Sequence, residues 1–193
     1  MPNPALLIID MQNDFVRENA VLCVAGAQCV IPRIRDLLAL FRARELPVFH
    51  IVRVHRPDGS DVEIIRKERF RSTPFAVEGT PGAAIVDELR PEKGEFVLPK
   101  KRMSAFIGTE LDLMLRNLGV TTVMVAGIQT PNCIRATVFD AIAYNYRVVL
   151  VDDAVGAQTD EIHRANVRDM ENIGVRITRA AEVPGILDTL KTG

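Results

Sequence analysis

The chain has 193 residues, 48% of them hydrophobic, with 24 Lys and Arg against 25 Asp and Glu. That is enough apolar chain for one domain, spanning residues 1–193, with its own core and no need of disulfide staples. The charges are dispersed without a basic block or acidic tail, which argues against a nucleic-acid or anionic-membrane partner and for a small molecule.

The N-terminus, MPNPALLIIDMQNDF, carries no basic leader or cleavage pattern, and its apolar run stops at Asp10, far short of a membrane span. A cytoplasmic protein is expected. ALLIID (5–10) reads as a first strand, and AQCVIPRIRDLLALFRAR (27–44) as a helix with Val30, Ile34, Leu37, Leu38 and Phe41 on one face. PVFHIVRV (47–54) is a second strand. The irregular stretch from Pro57 to Gly82, with PDGSD and TPGA turn signals, is a candidate lid or binding loop. Beyond it come a helix over 82–90, the strand EFVLPK (95–100), a helix over 109–118 and the strand TTVMVAGI (121–128). A helix over 132–144, the strand RVVLVDDA (147–154), a helix over 159–173, the strand VRIT (175–178) and a terminal helix in VPGILDTLK complete the chain. The strand runs are short, β-branched and not cleanly two-periodic, as parallel strands covered on both faces are. Their alternation with amphipathic segments predicts an α/β fold: three layers, with a parallel sheet between helices.

In such a sheet ligands collect at the carboxyl ends of the strands, and three reactive side chains fall there. Asp10 closes the first strand, Lys100 closes VLPK, and Cys133 follows Ile128 in a turn with Gln129, Thr130, Pro131 and Asn132. Each alone has an ordinary explanation, but convergence of all three on one edge points to chemistry. A thiolate at a helix N-terminus is stabilised by unpaired N–H groups, and a nearby lysine lowers its pKa further, so Cys133 is expected to be the most reactive of the three thiols. Asp10 could move the thiol proton, Lys100 balance the charge, and the turn's backbone N–H groups receive an oxyanion. The cysteines Cys23, Cys29 and Cys133 cannot all pair and lack CxxC spacing, so neither a disulfide framework nor a zinc knuckle is expected. Cys23 and Cys29 are read as structural.

Three motifs in order, ALLIIDMQNDF around Asp10, KKRMSAF from Lys100 to Phe106 and VAGIQTPNCIRATVFDA around Cys133, resemble those of the isochorismatase-like cysteine hydrolases. LCVAGA and RVVLVDDAVGA extend the likeness over nearly the whole chain. The resemblance implies a six-stranded parallel sheet, a catalytic triad of Asp10, Lys100 and Cys133, and a homo-oligomer, dimer or tetramer; separately, no cofactor is expected. It also implies a non-proline cis peptide between Ile128 and Gln129, which aims the N–H groups of Gln129 and Cys133 at the oxyanion. The spacing K-x-R-x-S-A-F selects Lys100 over Lys101.

Isochorismatases proper lack the cysteine nucleophile, so Cys133 counts against that alternative. Nicotinamidases hold a metal through an Asp-x-His pattern, where this chain has HIVRVHRPDGSD. His50 and His55 are five apart, on opposite faces of a strand, and neither follows an aspartate by two, so no metal site is expected. His163 reads as a helix-surface residue. What remains is a metal-independent amidohydrolase acting on a small amide or N-carbamoyl compound through an acyl-thioester; relatives act on N-carbamoyl amino acids, ureidoacrylate, biuret and maleamate. The metal-dependent nicotinamidase-like amidase and a non-catalytic binding protein of this fold stay as alternatives. Arg53, Arg71 and Arg102 are candidates for a substrate carboxylate with none singled out, and Phe15 is either a pocket wall or core.

Overall fold

The computed structural model describes residues 3–191. Six strands run β1 (Asn3–Ile9), β2 (Val48–Arg53), β3 (Phe96–Lys100), β4 (Val120–Ile128), β5 (Arg147–Gly156) and β6 (Arg176–Thr178). The helices are α1 (Asn13–Val16), α2 (Ala27–Ala43), α3 (Lys67–Ser72), α4 (Leu111–Asn117), α5 (Arg135–Ala143), α6 (Asp160–Asn172) and α7 (Val183–Lys191). Every strand falls on one of the apolar runs named above. They form one sheet in the order β3-β2-β1-β4-β5-β6, with all neighbours parallel. The chain steps outward from β1 to β2 and β3, then returns to the other side of β1 for β4. The carboxyl ends of β1 and β4 therefore flank the topological switch point, where an open sheet leaves a crevice.

β1 shows why its sequence is apolar without interruption. Leu6 and Ile8 pack into the core beneath α2 and α7, whereas Ala5, Leu7 and Ile9 pack into the core beneath α4, α5 and α6. Both faces are covered, so alternation with polar residues would bury unpaired groups. α2 follows its expected apolar stripe closely, and Pro32 is accommodated on the exposed side of the helix, where water can serve the carbonyl left without an N–H partner. β1 and β4 approach so closely that Gly127, at φ +111°, has no room for a side chain: an added Cβ would stand 2.2 Å from the Ile9 carbonyl oxygen.

Three local expectations are adjusted. Residues 82–90 do not form a helix; they hold two single 3-10 turns, Pro81–Ala83 and Asp87–Leu89. The backbone groups a helix would consume are used elsewhere: Asn13 N–H donates to Ala84 O at 3.0 Å and Val86 N–H to Met11 O at 3.0 Å, fastening the segment along the chain leaving β1. The stretch from Pro57 to Gly82 is not structureless, since it contains α3 and buries Phe70 and Phe75. The helix expected over 132–144 begins as a π turn, Thr130–Ile134, and continues as α5. Among the described residues no helix is long and apolar enough to cross a membrane.

Candidate active site

The row of strand ends reads Lys100 on β3, Arg53 on β2, Asp10 just past β1 and, beyond β4, the turn that carries Cys133. Asp10 takes a left-handed backbone, φ 55°, which turns the chain sharply out of the sheet; its N–H still donates to Ile51 O at 2.9 Å. Lys100 Nζ donates to Asp10 Oδ2 at 2.9 Å and to Arg102 O at 3.2 Å. The pair is almost sealed, with side chains 0% and 6% exposed. Asp10 Oδ1 has no protein partner, and the residue lines a cavity of about 550 Å³ together with Cys133. The structure thus brings the three sequence-derived residues to one place, and it separates the two lysines. Lys101 turns the other way, to Asp61 at 3.0 Å and to the carbonyl of Val54.

Cys133 is held by its own turn. Gln129 O accepts from Asn132 N–H at 3.0 Å and Ile134 N–H at 3.2 Å, and the Ile128–Gln129 peptide is cis. Thr137 Oγ1 donates to Cys133 O at 2.7 Å and accepts from Ala105 N–H at 3.0 Å, tying the KKRMSAF segment to the turn and helix that carry Cys133. Thr130 Oγ1 donates to Gly156 O at 3.0 Å and contacts His163 Nδ1 at 3.1 Å, while His163 Nε2 reaches Asp152 Oδ1 at 3.0 Å. His163 is therefore a strut between α6, β5 and the turn that carries Cys133, and the surface reading of it is corrected.

The electrostatics reverse one expectation. Burial pushes the Cys133 thiol up and Asp10 adds to the rise, against Lys100 and Arg53, which pull it down. Removing a sulfur from water disfavours its anion, and that outweighs the pull of the two cations. Cys133 is 6% exposed, whereas Cys29 is exposed on α2 and Cys23 is half-buried in the cavity wall. Cys23 lies in a loop and Cys29 on α2, as expected.

Phe15 fills both roles considered for it: it is buried, packs 6.4 Å from Phe75 between ring centroids, and faces the cavity. Of the three arginines considered, Arg53 lines the cavity and Arg71 and Arg102 do not. Arg102 Nη1 is spent on Asp61 O at 2.9 Å. Two arginines overlooked in the sequence, Arg66 and Arg69, come from the 57–82 segment into the same wall. Arg69 donates to Val21 O at 3.0 Å, and Arg66 faces no carboxylate within ion-pair distance among the described residues. Gln12 was also missed. Its side chain, fully buried, accepts from Arg53 N–H at 2.7 Å and donates to Arg53 O and Ala83 O at 2.7 Å each, pairing with the strand end like an extra peptide.

The two histidines near β2 are occupied. His50 Nε2 meets Glu95 Oε2 at 2.9 Å, and His55 Nδ1 meets Asp61 Oδ1 at 3.2 Å. His55 stands past the end of β2, so strand alternation does not govern it. Among the described residues no group of three or more His, Cys, Asp or Glu is disposed to hold a metal ion.

Comparison with known proteins gives a consistent likeness. Residues 4–182 match the family model described as the Isochorismatase domain. A protein of Arabidopsis thaliana named "Probable inactive nicotinamidase" is 46% identical over 178 residues, 90% of this chain and 91% of that one. A maleamate amidohydrolase of Pseudomonas putida is 35% identical over 171 residues, 88% of this chain and 79% of that one. Among solved structures, an isochorismatase family protein from Desulfovibrio vulgaris superposes with a TM-score of 0.94 at 47% identity, covering 97% of this chain and 100% of that one.

Proposed function

The chain belongs to the isochorismatase family, whose members include hydrolases acting on amides, and from that premise we propose that it hydrolyses a small amide or carbamoyl compound with Cys133 as nucleophile. The observation that carries this reading is Asp10, sealed against Lys100, lining one cavity with the Cys133 thiol. A buried thiol is no nucleophile until its proton leaves, and Asp10 is the carboxylate beside it. Asp10 takes that proton as sulfur attacks the carbonyl carbon. The negative charge on the carbonyl oxygen is received by the main-chain N–H groups of Gln129 and Cys133, a contribution of about 10²- to 10³-fold per donor in comparable sites. Collapse breaks the C–N bond while Asp10 returns the proton to the departing nitrogen. Water, deprotonated by the same carboxylate, then cleaves the thioester and restores the thiol.

The lining of the cavity narrows the substrate. Arg66 and Arg69 bring positive charge to the cavity wall, Phe15 and Phe75 give apolar walls, and a planar guanidinium suits a carboxylate. A short amide that also bears a carboxylate fits this lining, in keeping with the maleamate amidohydrolase likeness. The Arabidopsis relative's name counts against nicotinamide itself. The test is ammonia release from a panel of monoamides of small dicarboxylic acids, N-carbamoyl amino acids and nicotinamide, with acid-quenched turnover mixtures examined by mass spectrometry. The acyl mass is expected on Cys133, and Cys133→Ala should be inactive. Full activity in Cys133→Ala would refute the covalent route.

A further inference from the structure

Arg53 has no part in the steps just described, yet its guanidinium is a second cation at the sulfur. Its Nη2 lies 3.7 Å from Cys133 Sγ, closing a contact between residues far apart in sequence. Its Nη1 donates to Glu63 Oε1 at 2.8 Å, and the arginine side chain is only 1% exposed. The backbone is fixed as well, through Gln12 on both its N–H and its carbonyl. The charge is thus held from two sides, by Gln12 behind and by Glu63 from the 57–82 segment in front. A guanidinium does not give up its proton in a protein, so Arg53 cannot act as acid or base. What it offers at that position is a fixed positive charge and an N–H aimed at sulfur. Burying such a group is unfavourable unless an anion answers it; the guanidinium meets the Glu63 carboxylate, the Cys133 sulfur and, at 3.5 Å, the Lys101 carbonyl.

We propose that Arg53 is a catalytic residue that receives the negative charge created on Cys133 Sγ when the thiol proton moves to Asp10, and that Glu63 is the positioning residue that holds it there. The inference rests on the reading of Cys133 as nucleophile. In this step the S–H bond breaks and an O–H bond forms on the Asp10 carboxylate; one negative charge passes from oxygen to sulfur, and nothing is oxidised or reduced. The charged groups facing the sulfur are Asp10 after β1, Lys100 on β3 and Arg53 on β2. With Lys100 alone, ionisation would carry the charge away from the cation that Lys100 places 2.9 Å from the carboxylate. With Arg53 at the other end, the charge passes from one cation to another, and ionising a buried thiol becomes less unfavourable. Glu63 leads directly into the turn Ile64–Arg66, so one short segment sets both the cation at the sulfur and an arginine in the cavity wall.

The test needs no substrate. Alkylation of Cys133 by iodoacetamide is followed against pH by peptide mass mapping, with Cys23 and Cys29 in the same molecule as internal references. Arg53→Gln should raise the midpoint for Cys133 by about 1–2 pH units and slow its alkylation at pH 7 by roughly 10- to 100-fold, while leaving the reference cysteines unchanged. Arg53→Lys, which keeps the charge, should restore most of that shift. An unchanged midpoint in Arg53→Gln overturns the proposal, as does an Arg53→Lys midpoint displaced as far as that of Arg53→Gln. If Arg53→Gln fails to fold, the double variant Arg53→Gln/Glu63→Gln, which leaves no unpaired buried charge, takes its place; a smaller upward shift supports the proposal and an unchanged midpoint overturns it. Turnover separates the two levels. Activity retained in Cys133→Ala defeats the covalent reading itself, whereas an inactive Cys133→Ala beside an unshifted Arg53→Gln defeats only the role of Arg53.

Discussion

Replacing Lys100 by methionine measures what the sealed ion pair contributes to folding as well as to turnover. Methionine keeps the length and apolar stem of the lysine but strands the Asp10 carboxylate in a site where its own side chain is 6% exposed. Removing one partner of a buried pair costs about 3–5 kcal/mol, because the remaining charge is left without compensation. Arg53 shares the cavity and takes up part of that charge, so the lower end, about 3 kcal/mol, is expected. Lys101→Met is the internal control. Its pair with Asp61 has side chains 39% and 18% exposed, and a pair so open to solvent contributes at most about 1 kcal/mol. With a urea m-value of about 2 kcal/mol/M, Lys100→Met should lower the unfolding midpoint by roughly 1.5 M and Lys101→Met by no more than about 0.5 M. The double variant Asp10→Asn/Lys100→Met should recover much of the loss, with a coupling of about 2 kcal/mol. Turnover should vanish in Lys100→Met and persist in Lys101→Met. Equal midpoints for the two lysine variants, or a cycle with no coupling, would refute the argument.

Two further outcomes are expected. Gly127→Ala, which forces a Cβ to 2.2 Å from the Ile9 carbonyl oxygen at a φ of +111°, should lower Tm by roughly 6–12 °C, as about 3 kcal/mol does in a chain of this size. Gly94→Ala, with φ +97° but nothing within 4 Å, should cost only about 1–2 kcal/mol; comparable melting of the two variants would contradict the close approach of β1 and β4. Stability should also fall with acid in two windows. Burial, partly offset by carboxylate neighbours, holds His50 and His55 below their ordinary 6.5, so the unfolded chain binds more protons and stability present above pH 6.5 is lost as pH falls through that value and below. Burial opposes the charge of Glu95, but hydrogen bonds from Arg42, the Glu92 N–H and His50 outweigh it and bring Glu95 to about 2 from 4.5. Its contribution is complete above pH 4.5 and disappears as pH drops towards 2. Urea midpoints in a pH series check both, with Glu95→Gln expected to flatten the lower limb; a midpoint constant from pH 8 to pH 3 would refute both assignments.

The strands were readable because the central ones, β1, β2 and β4, are apolar, β-branched runs covered on both faces, while the edge strands β3 and β6 are shorter and partly exposed. The segment 82–90 misled because Ile85, Val86 and Leu89 have helical spacing, while the partners that claimed its backbone, Met11 and Asn13, lie far off in sequence. Asp10, Lys100 and Cys133 were legible as strand-end reactive groups within motifs. Arg53 was not separable from other arginines, since its role depends on Glu63 reaching back from an irregular segment, and no periodicity reports that. The direction of the Cys133 shift was misread for a related reason: helix position and a nearby lysine can be inferred from sequence, but the depth of burial that outweighs them cannot. Gln12 and His163 act through hydrogen bonds to backbone and carboxylate partners on other elements, and their residue types alone carry no such address.

The place of β1 in the middle of the sheet has a consequence for the newborn chain. Its neighbour on one side, β2, follows soon after, but its other neighbour, β4, begins only at Val120. As the polypeptide leaves the ribosome, ALLII therefore waits with one hydrogen-bonding edge open and both faces apolar through the synthesis of β2, β3 and α4. An unpaired edge of that kind is a template for association with other chains. Fragments ending before β4 should be retained by chaperones or lost to aggregation, and Asp10 and Cys133 can first meet only when that edge closes.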